Sequence, residues 1–442
     1  MSKSLLIKNA VVFTGPLSLK LLKGYNIYIK DGIICDIFKT SNLKNIKAER
    51  VIDAKGGLVM PGFINVHMHF YSTFARGLSK IKPSKNFVEV LKNLWWKLDK
   101  KLGYEAIYYS ALSSAISAIR KGTTTFIDHH ASPFSITGSL FEIEKAIKKA
   151  GLRASLCYEV SDRDGEKKAE EGLKENYEFI KYVRKNGGNK IKALFGLHAS
   201  FTLSNKTLEI ASDLGNSLDA GFHVHCAEAD SDEKDCVKKH KMRVVERFDK
   251  FKILGPKTIL AHCVHINEDE IELIRKSATV VAINPQSNAN NAVGISDIIG
   301  FARKAILYGL GTDAMTVNML EELRFALWLC HLKNSNPSVG FNEVSALIAN
   351  NVKIALRHFE KIGEIQKGYY ADMVIFNYFP PTPFETTNFY GHLIFGISAI
   401  EPSCVIVDGN VLMEDKKLNL DIDEREISRK SIEISKKIWK NF

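Results

Sequence analysis

The chain lacks the features that mark secreted, membrane-spanning and disulfide-stabilised proteins. Its seven cysteines are an odd number in 442 residues, and they form no CxxC pair that would indicate a disulfide framework or a thiolate metal site. No apolar run reaches the length that crosses a bilayer, and the start MSKSLLIKNAVVF lacks the pattern of a signal peptide. Prolines number only 11, with 45% hydrophobic residues, as in folded globular chains. We therefore expect a soluble cytoplasmic protein with no membrane partner.

Acidic residues are fewer than basic ones, at 50 against 61, which leaves a formal net charge of +11. An excess of this kind can indicate a polyanionic partner. The lysines, however, are scattered along predicted helices, and the sequence has no compact arginine-rich block interleaved with aromatic residues. We expect no nucleic-acid partner.

Both ends of the chain have the sequence pattern of small antiparallel sheets. The first sixty residues alternate short β-type runs with turns, and a similar pattern returns after Gly363, each half containing an Asp-Gly hairpin signal. We expect residues 1–58 and 361–442 to form one discontinuous β-sandwich domain, the second part ending in a helix.

Residues 59–360 instead repeat a strand followed by a helix, which is the pattern of a parallel sheet covered by helices. The candidate strands number eight: LVMPGFINV, TTTFID, LRASLCYEV, KIKALFGL, AGFHVHC, KTILAHC, ATVVAINP and KAILYGLG. Eight parallel strands close a barrel. The predicted fold is therefore α/β, a distorted (β/α)8 TIM barrel with the small β-sandwich beside it.

Unusual polar residues stand where these strands end, which is the face on which such barrels carry out their chemistry. His67 and His69 follow strand one, and the two-residue period of a strand sends both imidazoles to the same side. His225 ends strand five, and Asp313 follows strand eight. Three imidazoles and one carboxylate suit Zn²⁺ or Fe²⁺ and poorly suit Mg²⁺ or Ca²⁺. With water in the remaining position, such a metal would supply a nucleophile near neutral pH, and Asp313 could also take a proton from the incoming water.

Two further residues near these positions could move protons. Glu228 lies three residues after His225, just past the strand end, where a carboxyl group could carry a proton from the attacking water to a departing nitrogen. His262 ends strand six and could orient the water or polarise the substrate; a buried structural histidine is the alternative. We expect Glu228, His262 and Asp313 to be the catalytic residues.

At these positions the chain resembles the amidohydrolase superfamily, in particular its mononuclear branch of deaminases and triazine chlorohydrolases. The resemblance rests on PGFINVHMH, LHASFT, HVHCAE, AHCVHI and GLGTDA, and it spans nearly the whole length. Within that branch, HFYSTFARGL, FIDHHASP and NPQSNANNAVG are most similar to the SsnA-type aminohydrolases. The strand-four position, where binuclear branches carry a bridging carboxylate, is His198. The resemblance implies one divalent metal per chain, with Zn²⁺ favoured and Fe²⁺ the alternative. Because a barrel with a flanking sandwich often pairs through its βα loops, we also expect a homodimer.

Several other residues near the predicted barrel mouth are candidates for contact with a small-molecule substrate. They are His198, His129, His130, Arg76, Trp95 and Asn288. Hydrogen-bonded structural roles at the rim are the alternative for His129 and His130, and core or ion-pair roles are the alternative for Arg76 and Trp95.

The sequence thus predicts a metal-dependent aminohydrolase that attacks a C–N bond of a small nitrogen-rich heterocycle, purine-like or purine-derived. A hydrolytic dechlorinase and a cyclic amidase of the same superfamily are alternatives, and a non-catalytic, metal-stabilised assembly protein is a remote one. Glu228 favours C–N cleavage because a halide leaves without a proton whereas an amine needs one.

Overall fold

The computed structural model describes residues 3–42, 46–79, 81–440 and 442. Within these residues the strands are, in chain order, β1 (Ser4–Phe13), β2 (Leu21–Lys30), β3 (Ile33–Lys39), β4 (Arg50–Asp53), β5 (Leu58–Pro61), β6 (Phe63–Met68), β7 (Thr123–Asp128), β8 (Arg153–Leu156), β9 (Ile191–Ala193), β10 (Phe195–Ala199), β11 (Phe222–Cys226), β12 (Ile259–His262), β13 (Val280–Ile283), β14 (Tyr308–Leu310), β15 (Met373–Phe376), β16 (Cys404–Val407), β17 (Asn410–Glu414) and β18 (Lys417–Leu418).

The α-helices of the same residues lie mainly between the inner strands. They are α1 (Phe87–Val90), α2 (Trp96–Leu98), α3 (Tyr104–Arg120), α4 (Ser139–Ala150), α5 (Glu166–Asn186), α6 (Asn205–Ser217), α7 (Asp230–His240), α8 (Val244–Lys250), α9 (Glu268–Ser277), α10 (Pro285–Asn290), α11 (Ile298–Arg303), α12 (Met319–Asn334), α13 (Phe341–Ala355), α14 (Phe389–Phe395) and α15 (Glu424–Lys440). None of them is both long enough and apolar enough to span a membrane.

The inner strands form two parallel sheets that follow one another in space. Strands β6 to β9 make one sheet and β10 to β14 the other, each in sequence order. The last strand returns to the first, because the backbone amides of Thr312 and Asp313 each donate to the carbonyl of His67 at 3.0 Å. Residues of β6 to β8 and β10 to β14 are buried on both faces, as expected for parallel strands covered by helices. This is a TIM-barrel-like α/β fold with parallel sheets, as the sequence predicts.

The two ends of the chain meet in one nine-stranded sheet. Its order is β18-β17-β16-β15-β5-β1-β2-β3, with β4 beside β1, so a strand from the C-terminal part pairs directly with one from the N-terminal part. The predicted single strand LVMPGFINV is in fact two strands. Leu58–Pro61 pairs with this outer sheet, and Phe63–Met68 belongs to the parallel strands. Gly62 separates them because a Cβ there would overlap the side chain of Thr124.

A buried ion pair ties the parallel strands to the outer sheet. The guanidinium of Arg153, at the start of β8, donates to Asp372 at 2.5 and 3.2 Å and to Asp408 at 3.2 Å. Arg153 is fully buried. Asp372 directly precedes β15 and Asp408 directly follows β16, so this arginine joins the parallel strands to the outer sheet.

Candidate metal centre and active site

Strands β6 and β11 and the turn after β14 bring three imidazoles and one carboxylate together. Asp313 Oδ1 lies 3.3 Å from His67 Nε2 and 3.0 Å from His69 Nε2, and His69 Nε2 lies 3.2 Å from His225 Nε2. All four side chains are buried, and one potential ligand atom of each lies within 4.8 Å of the others. The four residues predicted as metal ligands therefore form one compact group.

The far side of each ring is already occupied. His67 Nδ1 contacts His223 Nε2 at 2.8 Å, His69 Nδ1 donates to the carbonyl of His129 at 2.5 Å, and His225 Nδ1 donates to the carbonyl of His198 at 3.0 Å. These contacts turn the three Nε2 atoms towards Asp313. Such outer hydrogen bonds usually fix the rings of metal-binding histidines.

Three of these four groups are in the protonation state that a metal ligand requires. Burial lowers the pKa of His67 to about 4 and holds the pKa of His225 well below its usual value. Burial opposes ionisation of Asp313, but contacts from His67 and His69 hold its pKa well below the usual range. Burial lowers the pKa of His69, but Asp313 and nearby carboxylates together raise it to about 9, so this imidazole would release a proton when a cation binds.

A bound cation would satisfy an atom that is otherwise left without a partner. His67 Nε2 is buried and has no well-directed hydrogen bond within the described part of the chain. A buried polar atom in this state is costly unless something else binds it. The donor set and this atom both fit a divalent metal of the zinc type.

The backbone is strained where it places two of the candidate catalytic residues. His262 has φ 76° and Asp313 has φ 55°, in the left-handed region that residues other than glycine seldom adopt. Gly311 is required nearby, because a Cβ there would lie 2.4 Å from Asn284 Oδ1 and 2.7 Å from the carbonyl of His67. Strain of this kind clusters at functional sites, where the surrounding structure maintains it.

Glu228 and His262 lie next to the histidine–aspartate group. His262 Nε2 is 3.5 Å from Glu228 Oε2 and 4.0 Å from Asp313 Oδ2, and Asn291 donates to Glu228 Oε1 at 3.3 Å. Burial and the charge of Asp313 raise the pKa of Glu228 well above its usual value, so this carboxyl group tends to hold a proton. Burial lowers the pKa of His262, which favours a neutral imidazole.

These groups open onto a cavity of about 630 Å³, part of it open to solvent. Its polar end holds His69, His225, Glu228 and Asp313, with His198 on one wall. Its remaining walls are largely aromatic and apolar: Tyr71, Phe87, Leu91, Trp95, Trp96 and Phe201. A cavity with flat apolar walls and polar groups at one end suits a small planar molecule.

Of the six residues predicted to contact substrate, the structure places some in the cavity lining and others behind it or at the surface. His198 and Trp95 line the cavity. His129 is fully buried and stacks on His223 at 4.7 Å between ring centroids, and His130 contacts Ser132 at 3.0 Å. Arg76 is exposed and donates to the carbonyl of Met315 at 2.6 Å.

Asn288 also lies behind the cavity lining, where its amide oxygen accepts from His262 Nδ1 at 2.7 Å. Four of the six predicted contacts thus lie outside the described lining: His129, His130, Arg76 and Asn288. All four follow the C-terminal ends of parallel strands, but their side chains contact other protein groups.

Sequence reasoning missed Glu159, which follows β8 and lines the cavity. Its side chain is buried, with Oε1 3.3 Å from His198 Nε2 and Oε2 3.6 Å from His129 Nδ1. Burial raises the pKa of Glu159 to about 7. The signal was present, since Glu159 is the one carboxylate in the otherwise apolar run LCYEV, at the same edge as the histidines.

A second polar pair on the same wall joins distant segments. Arg163 forms an ion pair with Asp99 and stacks over Trp96, with 5.3 Å from its guanidinium carbon to the ring centroid. The pairing of Arg163 with Asp99 was not anticipated from the sequence. Their separation of 64 residues along the chain hides the pairing from sequence patterns.

Comparison with known proteins assigns the family. A model described as "Amidohydrolase family" matches residues 58–412. The chain belongs to the amidohydrolase family. Because that match covers most of the chain, it includes every residue of the group described above.

This amidohydrolase is also similar to named proteins over nearly its whole length. It is 32% identical to a 5'-deoxyadenosine deaminase of Methanobrevibacter smithii, covering 97% of this chain and 96% of that protein. It is 31% identical to a 5-methylthioadenosine/S-adenosylhomocysteine deaminase of Thermococcus sibiricus, covering 93% and 94%. Among solved structures, it resembles an adenosine deaminase from Xanthomonas campestris with bound zinc, with a TM-score of 0.84, 20% identity, and coverage of 99% and 98%.

These findings confirm the enzyme class predicted from the sequence. The amidohydrolase is a metal-dependent hydrolase that acts on carbon–nitrogen bonds other than peptide bonds, and its relatives are deaminases. The resemblance to the mononuclear deaminase and chlorohydrolase branch is likewise confirmed at the level of the family. The finer likeness to the SsnA-type aminohydrolases stays a prediction.

Proposed function

We propose that this amidohydrolase removes an amino group from a small purine-like heterocycle, releasing ammonia. The observation that carries the proposal is the placement of Glu228 and His262 against the histidine–aspartate group at the polar end of an aromatic cavity. The names of two relatives favour an adenine-type ring as substrate, since both are called deaminases of adenosine derivatives.

The residues proposed to hold one divalent metal are His67, His69, His225 and Asp313. Zn²⁺ is the proposed ion and Fe²⁺ the alternative, because both accept nitrogen and oxygen ligands in this ratio. Other groupings of potential ligands in the described residues share His69 and His225, or Asp313, with this set. The overlap supports a single ion. When bound, the metal supplies an activated water near neutral pH.

Each protein group then has a separate task. Addition of water to the ring carbon produces a tetrahedral carbon that carries both a hydroxyl group and the amine. Glu228, which holds a proton at the start, donates it to the departing nitrogen, which leaves as ammonia, and takes a proton back from the added hydroxyl group, which becomes the carbonyl oxygen. His262, 3.5 Å from Glu228, orients the attacking water, while the aromatic walls hold the ring flat. His198 and Glu159 are proposed to contact the ring edge on the opposite wall.

The amidohydrolase fold is interpreted as a closed eight-stranded barrel, with the nine-stranded sheet as its flanking β domain. Its fourth strand, the predicted KIKALFGL, consists of β9 and β10, which are separated by one residue. The division at 1–58, 59–360 and 361–442 is kept as a proposal, with β5 supporting a first boundary a few residues later. A homodimer, a cytoplasmic location and the absence of nucleic-acid and membrane partners also remain proposals based on the sequence.

The deciding experiment is a product screen with the zinc-loaded protein. Adenosine, 5'-deoxyadenosine, 5'-methylthioadenosine, guanine, cytosine and a chlorotriazine would be assayed for both ammonia and chloride. We expect efficient ammonia release from at least one amino-substituted ring and none from metal-free protein. Efficient chloride release with no ammonia would instead identify a dechlorinase, the alternative that Glu228 disfavours.

A further inference from the structure

The short helix α10 and the residue after it contact all three proposed catalytic groups. Asn288 contacts His262, Ser287 donates to Asp313 Oδ2, and Asn291 donates to Glu228 Oε1. The three polar side chains lie within five consecutive residues, whereas the groups they contact lie on three different strand ends. None of these contacts involves the cavity-lining aromatic residues.

Hydrogen-bond accounting fixes the orientation of the Asn288 amide. Ser296 Oγ donates to the carbonyl of His262 at 2.9 Å, so its single proton is used. It therefore accepts from Asn288 Nδ2 at 3.4 Å, which leaves Asn288 Oδ1 facing His262 Nδ1 at 2.7 Å. An amide oxygen can only accept, so the proton of the neutral imidazole resides on Nδ1.

That tautomer leaves His262 Nε2 as the acceptor that faces the reacting groups. Nε2 is buried, has no hydrogen bond within the described chain, and lies 3.5 Å from Glu228 Oε2. Asn284 Nδ2 also approaches Nδ1, at 3.4 Å, but the contact with Asn288 Oδ1 is 0.7 Å shorter and is the stronger of the two. Asn288 therefore determines which nitrogen of His262 is available.

Ser287 and Asn291 act on the two carboxyl groups in the same way. The Ser287 hydroxyl occupies Asp313 Oδ2, which leaves Oδ1 to face His67 and His69. Asn291 occupies Glu228 Oε1, which leaves Oε2 towards His262. One turn of chain thus sets the orientation of each group.

We propose that Asn288 is a positioning residue that holds His262 in the tautomer with Nε2 unprotonated, and that Ser287 and Asn291 orient Asp313 and Glu228 from the same turn. The proposal rests on the proposed function for its kinetic consequence, and on the structure alone for the tautomer. It replaces the direct substrate contact that the sequence suggested for Asn288.

The first test is spectroscopic and needs no substrate. In zinc-loaded protein labelled with ¹⁵N-histidine, the signals of His262, assigned by their loss in His262→Gln, should show a protonated Nδ1 and an unprotonated Nε2. Asn288→Asp keeps an oxygen acceptor and should preserve this pattern. Asn288→Leu removes the acceptor and should produce a mixture of tautomers. Protonation of Nε2 in the unaltered protein would overturn the proposal, whatever the substrate.

The second test separates positioning from substrate binding. Asn288→Leu should lower kcat by about 10–100-fold, the usual cost of losing an orienting partner, with bound zinc unchanged and KM altered by less than about threefold. Asn288→Asp should recover part of kcat. Ser296→Ala frees the amide to turn over and should have a smaller effect of the same kind. Asn290→Leu, exposed on the same helix, is the matched control and should retain full activity.

A rise in KM with kcat unchanged would assign Asn288 to substrate binding and overturn the proposal. Equal loss of activity in Asn290→Leu would also overturn it, because the effect would then belong to the helix and not to its contacts. If the unaltered protein released no ammonia from any amine while the tautomer was as expected, the proposed function would fail and the positioning of His262 would stand.

Discussion

Glu228→Gln is the substitution that most directly tests the chemistry. The glutamine side chain has nearly the same shape and can keep both contacts of Glu228. Its oxygen can accept from Asn291, which lies 3.3 Å from Glu228, and its amide nitrogen can face His262 Nε2, which lies 3.5 Å from Glu228. What it loses is the transferable proton. We therefore expect correct folding, an unchanged metal content, and a free energy of unfolding altered by less than about 1 kcal/mol, since no buried partner is left unsatisfied.

The loss of activity follows from the role of the proton. A positioned acid–base group usually contributes about 10²–10⁴-fold, or about 2.7–5.4 kcal/mol of transition-state stabilisation. Because burial raises the pKa of Glu228, its carboxyl group holds a proton that it can donate to the departing nitrogen. The substitution removes this donation, which occurs in the transition state, and should therefore lower kcat more than it changes KM. A substrate whose amine is a better leaving group should lose less activity in this variant.

The assay is ammonia release under saturating substrate, alongside metal analysis and thermal unfolding. Glu178→Gln is the control, because Glu178 is about half exposed and its ion pair with Lys181 is 3.9 Å long. A variant at Glu228 that retained kcat within about threefold would refute the acid–base role. Loss of bound metal would instead make Glu228 a ligand.

Three further expectations concern other parts of the molecule. Asp313→Asn should abolish ammonia release even at metal concentrations that fill the site, whereas Asp219→Asn, at 87% exposed, should not; turnover with metal bound would contradict this. Glu159→Gln should become steadily more stable than the unaltered protein as pH rises from 4.5 to about 7. The reason is that the glutamate must ionise in a buried site as the pH rises, whereas glutamine has no group to ionise. Denaturant titration at several pH values measures the difference in free energy of unfolding between the two proteins. A difference that does not change with pH would contradict the prediction. Arg153→Leu should lower the free energy of unfolding by about 3–5 kcal/mol, because Asp372 would remain buried without its cation. The double variant Arg153→Leu, Asp372→Asn should recover part of this loss. A loss below about 1 kcal/mol in the single variant would show that the ion pair is dispensable.

Local patterns in the sequence determined the repeat of strands and helices, the enzyme class and the four residues of the candidate metal group. They could do so because each signal lies within one segment. Strand alternation sends His67 and His69 to one side, and parallel strands align their C-terminal ends, so residues at those ends meet even when they are far apart in the chain. The same reasoning identified Glu228 and His262 without any coordinates.

Only the tertiary structure decided which side chains at the barrel mouth reach the cavity. Asn288 and His129 satisfy the positional rule as well as His198 does, yet Asn288 turns back to His262 and His129 stacks on His223. Glu159 instead enters the cavity wall. Side-chain direction at a loop depends on the backbone angle of each residue and on partners from other strands, and neither is encoded in the spacing of residues along the chain.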